Sequence, residues 1–257
     1  MITGIVLLHG LGSDHHEPLD LLSPILPDGT PVLAPDMRAH GESHLIGSAS
    51  DFTIDALADE TIETIKGWMD HLPTDERGGQ HLVIAGISMG ALLALRIAST
   101  GTLPVDRVAY IRPAFTDRSM PDNLEPLQSI AELLNTMDPE GGEQAFRASD
   151  IFRRILDASP LAADSLVSQF RAPDAVRRSV RLREIPRNVA FPQDFVAPPQ
   201  QALIVSSAGD PIHPTRVADM WANRLPRATR VRVPNRDDDL ALFTDGIRRC
   251  VRGWLMD

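Results

Sequence analysis

The five residues Gly86-Ile87-Ser88-Met89-Gly90 constrain the fold of this chain more than any other segment. They follow the apolar run Gln80–Ala85 (QHLVIA) and precede the Ala/Leu-rich run Ala91–Ala98 (ALLALRIA). A strand pattern, two glycines four residues apart and a helix pattern describe a strand that turns sharply into a helix. Such a turn leaves no room for side chains at Gly86 and Gly90. It presents Ser88 at the carboxyl end of a strand and at the start of a helix. Backbone N–H groups there stabilise negative charge, so a serine so held is suited to act as a nucleophile.

The rest of the chain repeats the same alternation. Apolar, β-branched runs occur at Thr3–His9, Thr30–Ala34, Gln80–Ala85, Val105–Ile111 and Gln201–Ser206, with a more polar run at Thr229–Val233 suited to an edge. Near-continuous apolar strands predict a sheet buried on both faces. Helical spacing appears at 51–71, 88–100, 215–225 and 239–255, with Asp51 or Thr53 placed to cap the first of these. Strands alternating with helices predict an α/β protein with a doubly wound, mostly parallel six-stranded sheet. The alternation stops between Pro113 and Pro199, where prolines separate helical patterns at 124–137, 143–157 and 161–170. Residues 1–112 and 200–257 therefore read as the core, and 113–199 as a helical lid over it.

The net charge of −10 would repel a phosphate backbone, which argues against a nucleic-acid partner. Lys66 is the only lysine among 25 basic residues, a bias we read as that of a GC-rich bacterial genome. Cys250 is the single cysteine, so no internal disulfide is possible, which fits a reducing compartment. The first apolar run, Ile5–Leu8, is shorter than the h-region of about 7–15 residues in a signal peptide. No stretch approaches the ~20 apolar residues of a membrane span. The expectation is a cytoplasmic protein with a small-molecule substrate and no membrane partner. No metal-ligand spacing is present.

Three further segments complete a resemblance to the α/β-hydrolase superfamily across essentially the whole chain. His9-Gly10-Leu11-Gly12 ends the first strand as the family's HGxG motif does. Asp36–Ser43 (DMRAHGES) looks like the family's D-x-R-G-x-G-x-S loop, with Ala39 in place of a glycine. Gly209-Asp210-Pro211 ends the fifth strand, where the family carries the acid of a catalytic triad. The resemblance implies an oxyanion hole formed by the N–H groups of Leu11 and Met89, with Asp210 as acid and Asp117 as a weaker alternative. It also implies that the first strand is the family's third, the N-terminal antiparallel hairpin being absent. His9, Arg38 and His40 read as residues that brace the loops around the site.

One departure from the family stands out. The family supplies its general base, a histidine, from the loop after the last strand. That loop here is Pro234-Asn235-Arg236-Asp237-Asp238-Asp239, and no histidine follows His213. Either His213 serves as base, or His15, His16, His40 or His44 moves in, or the triad is broken. The acids Asp237–Asp239 read as a solvated turn capping the last helix, and Arg153, Arg154, Arg177, Arg178, Arg181 and Arg183 as a solvated face.

Two functions follow. One is a cofactor-independent serine hydrolase of a small carboxylic ester, thioester or lactone, with an apolar acyl or aromatic substrate. The other is an impaired relative that binds a small molecule or partner, or catalyses a non-hydrolytic reaction in the same pocket.

Overall fold

In the computed structural model, which describes residues 2–256, six strands form one sheet. They are β1 (Gly4–Leu8), β2 (Val32–Leu33), β3 (Leu82–Ile87), β4 (Val105–Ile111), β5 (Gln201–Ser207) and β6 (Ala228–Val233). Their order is β2-β1-β3-β4-β5-β6, and every neighbouring pair is parallel. Every residue of β1 and β3 is buried, because helices cover both faces. The polar strand β6 takes an edge, as its composition predicts.

Helices α1 (His16–Leu22), α2 (Ile54–Met69) and α3 (Met89–Thr100) belong to the first half of the chain. The helices between β4 and β5 are α4 (Glu125–Thr136), α5 (Pro139–Arg147), α6 (Asp150–Ala158), α7 (Pro160–Arg171), α8 (Ala175–Arg178) and α9 (Val180–Glu184). Helices α10 (Thr215–Arg224) and α11 (Leu240–Met256) follow. Leu57 and Ile62 of α2, Leu92 of α3 and Trp221 of α10 fill one face of the sheet. Leu22 of α1 and Phe243, Ile247 and Val251 of α11 fill the other. The cap of α2 is Thr53, whose side chain accepts from the Ala56 N–H, while Asp51 closes a capping box on the short turn before it.

The chain runs outward from β1 to β2, then returns to the far side of β1 to form β3. The switch point therefore lies between β1 and β3, and open α/β sheets bind ligands outside the carboxyl ends of such strands. Register pairs Leu8 with Gly86 there. The loop after His9 thus begins beside the turn that carries Ser88.

The pattern at 143–157 forms two helices rather than one. Ser149 caps α6 by accepting the Phe152 N–H at 3.1 Å, and α5 ends just before it. Phe146 packs on Phe152 and Phe170 with ring centroids 5.6 and 5.8 Å apart, which joins α5, α6 and α7. Two of the arginines read as a solvated face point inward instead. Arg178 donates to the carbonyls of Gly41 (2.8 Å) and Ser43 (3.3 Å), and Arg181 donates to that of Ala39. They fasten the helical insertion to the 36–43 loop, while Arg153 and Arg154 pair with Asp150 and Glu125 on the surface.

Candidate active site

Ser88 has φ 54° and ψ −106°, a conformation that strains any L-residue. The neighbouring glycines allow it. A Cβ on Gly86 would lie 2.0 Å from the Gly90 carbonyl oxygen, and one on Gly90 would lie 2.2 Å from that of Leu8. The Ser88 N–H donates to Ile111 O at 2.9 Å, which ties the turn to the end of β4. Its Oγ makes no hydrogen bond with any described residue and faces a cavity of about 540 Å³. Leu124, Leu127 and Leu166 of the insertion line that cavity, opposite Ile212, Phe243 and Ile247 of the core.

The N–H groups of Leu11 and Met89 donate to no acceptor among the described residues, so both are free to meet a ligand oxygen. The Gly10 N–H is taken by Glu17 Oε2 at 2.7 Å. His9 is fully buried and braces this loop. Its Nε2 accepts the Met37 N–H at 3.0 Å, which leaves its Nδ1–H to donate to Gly10 O at 2.8 Å. Burial lowers its pKa, in keeping with a neutral ring. Ala39, in the position of the family's glycine, has φ 60° and is wholly buried. Arg38 and His40 brace the same region. Arg38 donates to Glu60 and Ile46 O, and His40 Nδ1 lies 2.8 Å from Arg38 O.

Of the eight histidines, His213 alone lines the Ser88 cavity. Asp210 orients it twice. Oδ1 of Asp210 accepts the backbone N–H groups of Ile212 and His213, each at 3.0 Å, and Oδ2 lies 2.9 Å from His213 Nδ1. An ionised carboxylate only accepts, so the Asp210 contact favours a proton on Nδ1 and a lone pair on Nε2, while the Arg112 guanidinium, a donor 3.0 Å from the same nitrogen, favours the opposite tautomer. No hydrogen bond joins Ser88 to His213.

Arg112 is the residue that sequence reasoning missed. It follows β4 directly, donates its N–H to Val205 O, and brings Nη2 within 2.5 Å of Asp210 Oδ2 and 3.0 Å of His213 Nδ1. Its signal was its place at the carboxyl end of a central strand. Burial alone would raise the Asp210 carboxyl, but the charges and hydrogen bonds of His213 and Arg112 outweigh it and hold the pKa well below the ordinary value. Burial, followed by the Arg112 charge, lowers the His213 pKa against the pull of Asp210.

The other expected site residues lie elsewhere. Asp117 faces Arg224 at 3.8 Å and does not line the cavity. Nor do His15, His16, His40 or His44. Asp14, His15 and His16 each place one ligand atom within 4.8 Å of the others, outside the cavity, with His15 Nδ1 bonded to Asp36 at 2.9 Å. In the turn before α11, Asp239 caps the helix by accepting the Leu242 N–H at 2.9 Å. Asp237 instead reaches across to α7, accepting from Ser159 Oγ at 2.5 Å and Leu161 N–H at 2.9 Å. Arg236, between them and the last strand, lines the cavity. No described helix is long and apolar enough to cross a membrane.

Solved structures share this architecture. The enol-lactonase of Burkholderia xenovorans LB400 superposes with a TM-score of 0.70 at 19% identity, covering 100% of this chain and 92% of that one. MGS-M2, an alpha/beta hydrolase enzyme from a Medee basin deep-sea metagenome library, superposes at 0.69 with 20% identity, covering 99% and 90%. The bottromycin epimerase BotH superposes at 0.68 with 20% identity, covering 99% and 91%. At these identities the likeness is one of fold. A search of curated protein sequences finds no match. A family model described as the alpha/beta hydrolase family matches residues 5–248. With that match over nearly its whole length, the chain belongs to the alpha/beta hydrolase family.

Proposed function

We propose that this chain is a cofactor-independent serine hydrolase of a small carboxylic ester, thioester or lactone. The observation that carries the reading is the shared cavity of Ser88 and His213, with His213 Nδ1 held on Asp210 and its Nε2 free to accept a proton. Ser88 Oγ attacks the carbonyl carbon while its proton passes to His213 Nε2. The carbonyl oxygen becomes an oxyanion between the N–H groups of Leu11 and Met89. Collapse expels the alcohol or thiol, which takes the proton from His213. Water, deprotonated by the same nitrogen, then releases the acid from Ser88. The Ser88–His213 hydrogen bond forms with substrate in place; such bonds are often long in free enzymes. The enol-lactonase among the structural neighbours acts on a substrate of the proposed class, which adds support.

Labelling with a fluorophosphonate tests this. The wild type labels, and Ser88→Ala and His213→Ala do not. A folded wild type that resists labelling rules the hydrolase reading out.

A second reading is favoured by the competition of Arg112 with Asp210 for His213 Nδ1 and by the unbonded Ser88 Oγ. In it the cavity binds a small molecule, or performs non-hydrolytic chemistry on a hydrolase scaffold, as the fold of BotH does in an epimerase. Labelling of Ser88 excludes the binding role, and release of acid from an ester separates hydrolysis from other chemistry at the same serine.

A further inference from the structure

We propose that Arg236 binds a carboxylate carried by the substrate, so that the preferred ester, thioester or lactone is a monoanion with an apolar body. The proposal rests on the Ser88 cavity being the substrate site. It adds a charged end to the apolar substrate expected from the sequence.

Every other arginine on the cavity wall has its acceptors. Arg112 is paired with Asp210, and Arg248 donates to the carbonyls of Leu21 and Asp20, each at 2.9 Å. Arg236 has none: no described carboxylate lies within ion-pair distance, and its buried Nε has no partner. Its neighbour in sequence, Asp237, is the natural counterion, yet that carboxylate turns to the start of α7, where its oxygens accept from Ser159 and Leu161, and makes no ion pair with Arg236. Glu17, the acid across the cavity, accepts the Gly10 N–H instead. Burial, then the Arg112 charge, lowers the Arg236 pKa against the pull of Asp210, Asp237 and Glu17, and a guanidinium stays ionised at neutral pH. The protein therefore holds a guanidinium on the wall of the Ser88 cavity with no carboxylate bonded to it, although Asp210, Asp237 and Glu17 favour its charge from a distance. A guanidinium offers a planar fork of N–H donors that matches a carboxylate.

The charge count favours a single negative charge. Arg112 is already neutralised, and Asp210 and Glu17 stand in the same cavity. A phosphate dianion would meet one free guanidinium and two carboxylates. The walls between these charges are hydrocarbon, supplied by Leu124, Leu127 and Leu166, which suits an aliphatic or aromatic spacer between the acid and the reacting carbonyl.

The test measures binding rather than turnover. Ser88→Ala protein is titrated calorimetrically with monomethyl and dimethyl esters of succinic, glutaric and adipic acids. For at least one chain length the monoester binds about 10-fold or more tightly than its diester, the strength of a charge-assisted hydrogen bond. The preference disappears in Ser88→Ala/Arg236→Gln. In Ser88→Ala/Arg236→Lys, which keeps the charge but loses the fork, it is reduced; this variant decides the matter if the glutamine variant does not fold. Equal binding of monoester and diester at every length overturns the proposal. So does a preference that survives both Arg236 substitutions unchanged, or tighter binding of phenyl phosphate than of any monoester. Fluorophosphonate labelling reports separately on Ser88, so a carboxylate site without a reactive serine, and the reverse, are read as distinct results.

Discussion

Asp210→Asn removes one oxygen's worth of charge and leaves almost everything else in place. The asparagine carbonyl can still accept the Ile212 and His213 N–H groups that Oδ1 accepts at 3.0 Å. Its NH₂, however, meets Arg112 Nη2 and Nε and the His213 Nδ1–H, a contact of donors with donors. Breaking a buried ion pair by removing one partner costs about 3–5 kcal/mol. The Asp210 side chain is fully buried, but that of Arg112 is 12% exposed toward the cavity, which puts the loss at the lower end. About 3 kcal/mol corresponds to a fall of roughly 6–12 °C in melting temperature for a chain of this size. Urea denaturation of wild type, Asp210→Asn, Arg112→Met and the double variant measures it. The double variant, which leaves no orphaned charge, is more stable than Asp210→Asn alone. Because the folded pKa of Asp210 is depressed, its contribution is present above the ordinary aspartate pKa of about 3.9 and fades as pH falls through the lower folded value. The gap between wild type and Asp210→Asn therefore narrows below about pH 4. The reasoning is refuted if the single variants add within about 0.5 kcal/mol, or if the gap is the same at pH 3 as at pH 7.

Two further outcomes follow from the geometry. As the proposed base, His213 must be neutral to accept the Ser88 proton, and its pKa lies below the ordinary value. The acid limb of kcat/KM for ester hydrolysis is then centred below about pH 6.5, and a limb centred above that value contradicts the assignment. Asp237→Ala strips two hydrogen bonds from the start of α7, one of them from the fully buried Ser159. A loss of about 1.5–3 kcal/mol is expected, with faster amide exchange in the first turn of α7; unaltered exchange there shows that the contact does not hold the helix.

What the sequence made legible was whatever local sterics dictate. Gly86 and Gly90 announced the turn because any Cβ there collides with backbone. The stretches that became β1 and β3 announced burial because Gly4–Leu8 and Leu82–Ile87 hold no polar residue. Ser149 and Asp138 were readable caps for α6 and α5, and neglecting Ser149 merged the two helices into one pattern. The charged contacts were hidden for a different reason. Asp237 meets Ser159 across 78 residues, Arg112 meets Asp210 across 98, and Arg181 meets Ala39 across 142. An arginine run looks like a solvated surface until the fold supplies a carbonyl for it. The unpaired state of Arg236 was equally invisible, because it depends on where its neighbour's carboxylate is used.

The polar contacts that dock the insertion have an evolutionary consequence. Gln169, Arg178, Arg181 and Asn188 all reach out from the insertion, and they grip carbonyl oxygens of Gly12, Gly41, Ser43, Ala39 and Phe52 in the core. Every residue type carries a carbonyl, so these acceptors outlast any replacement that preserves the path of the loop. The donors have no such freedom. Mutational drift is thus tolerated unequally on the two sides of the seam: a change of side chain at Ser43 or Phe52 leaves the acceptor in place, whereas losing one long side chain from the insertion removes a donor.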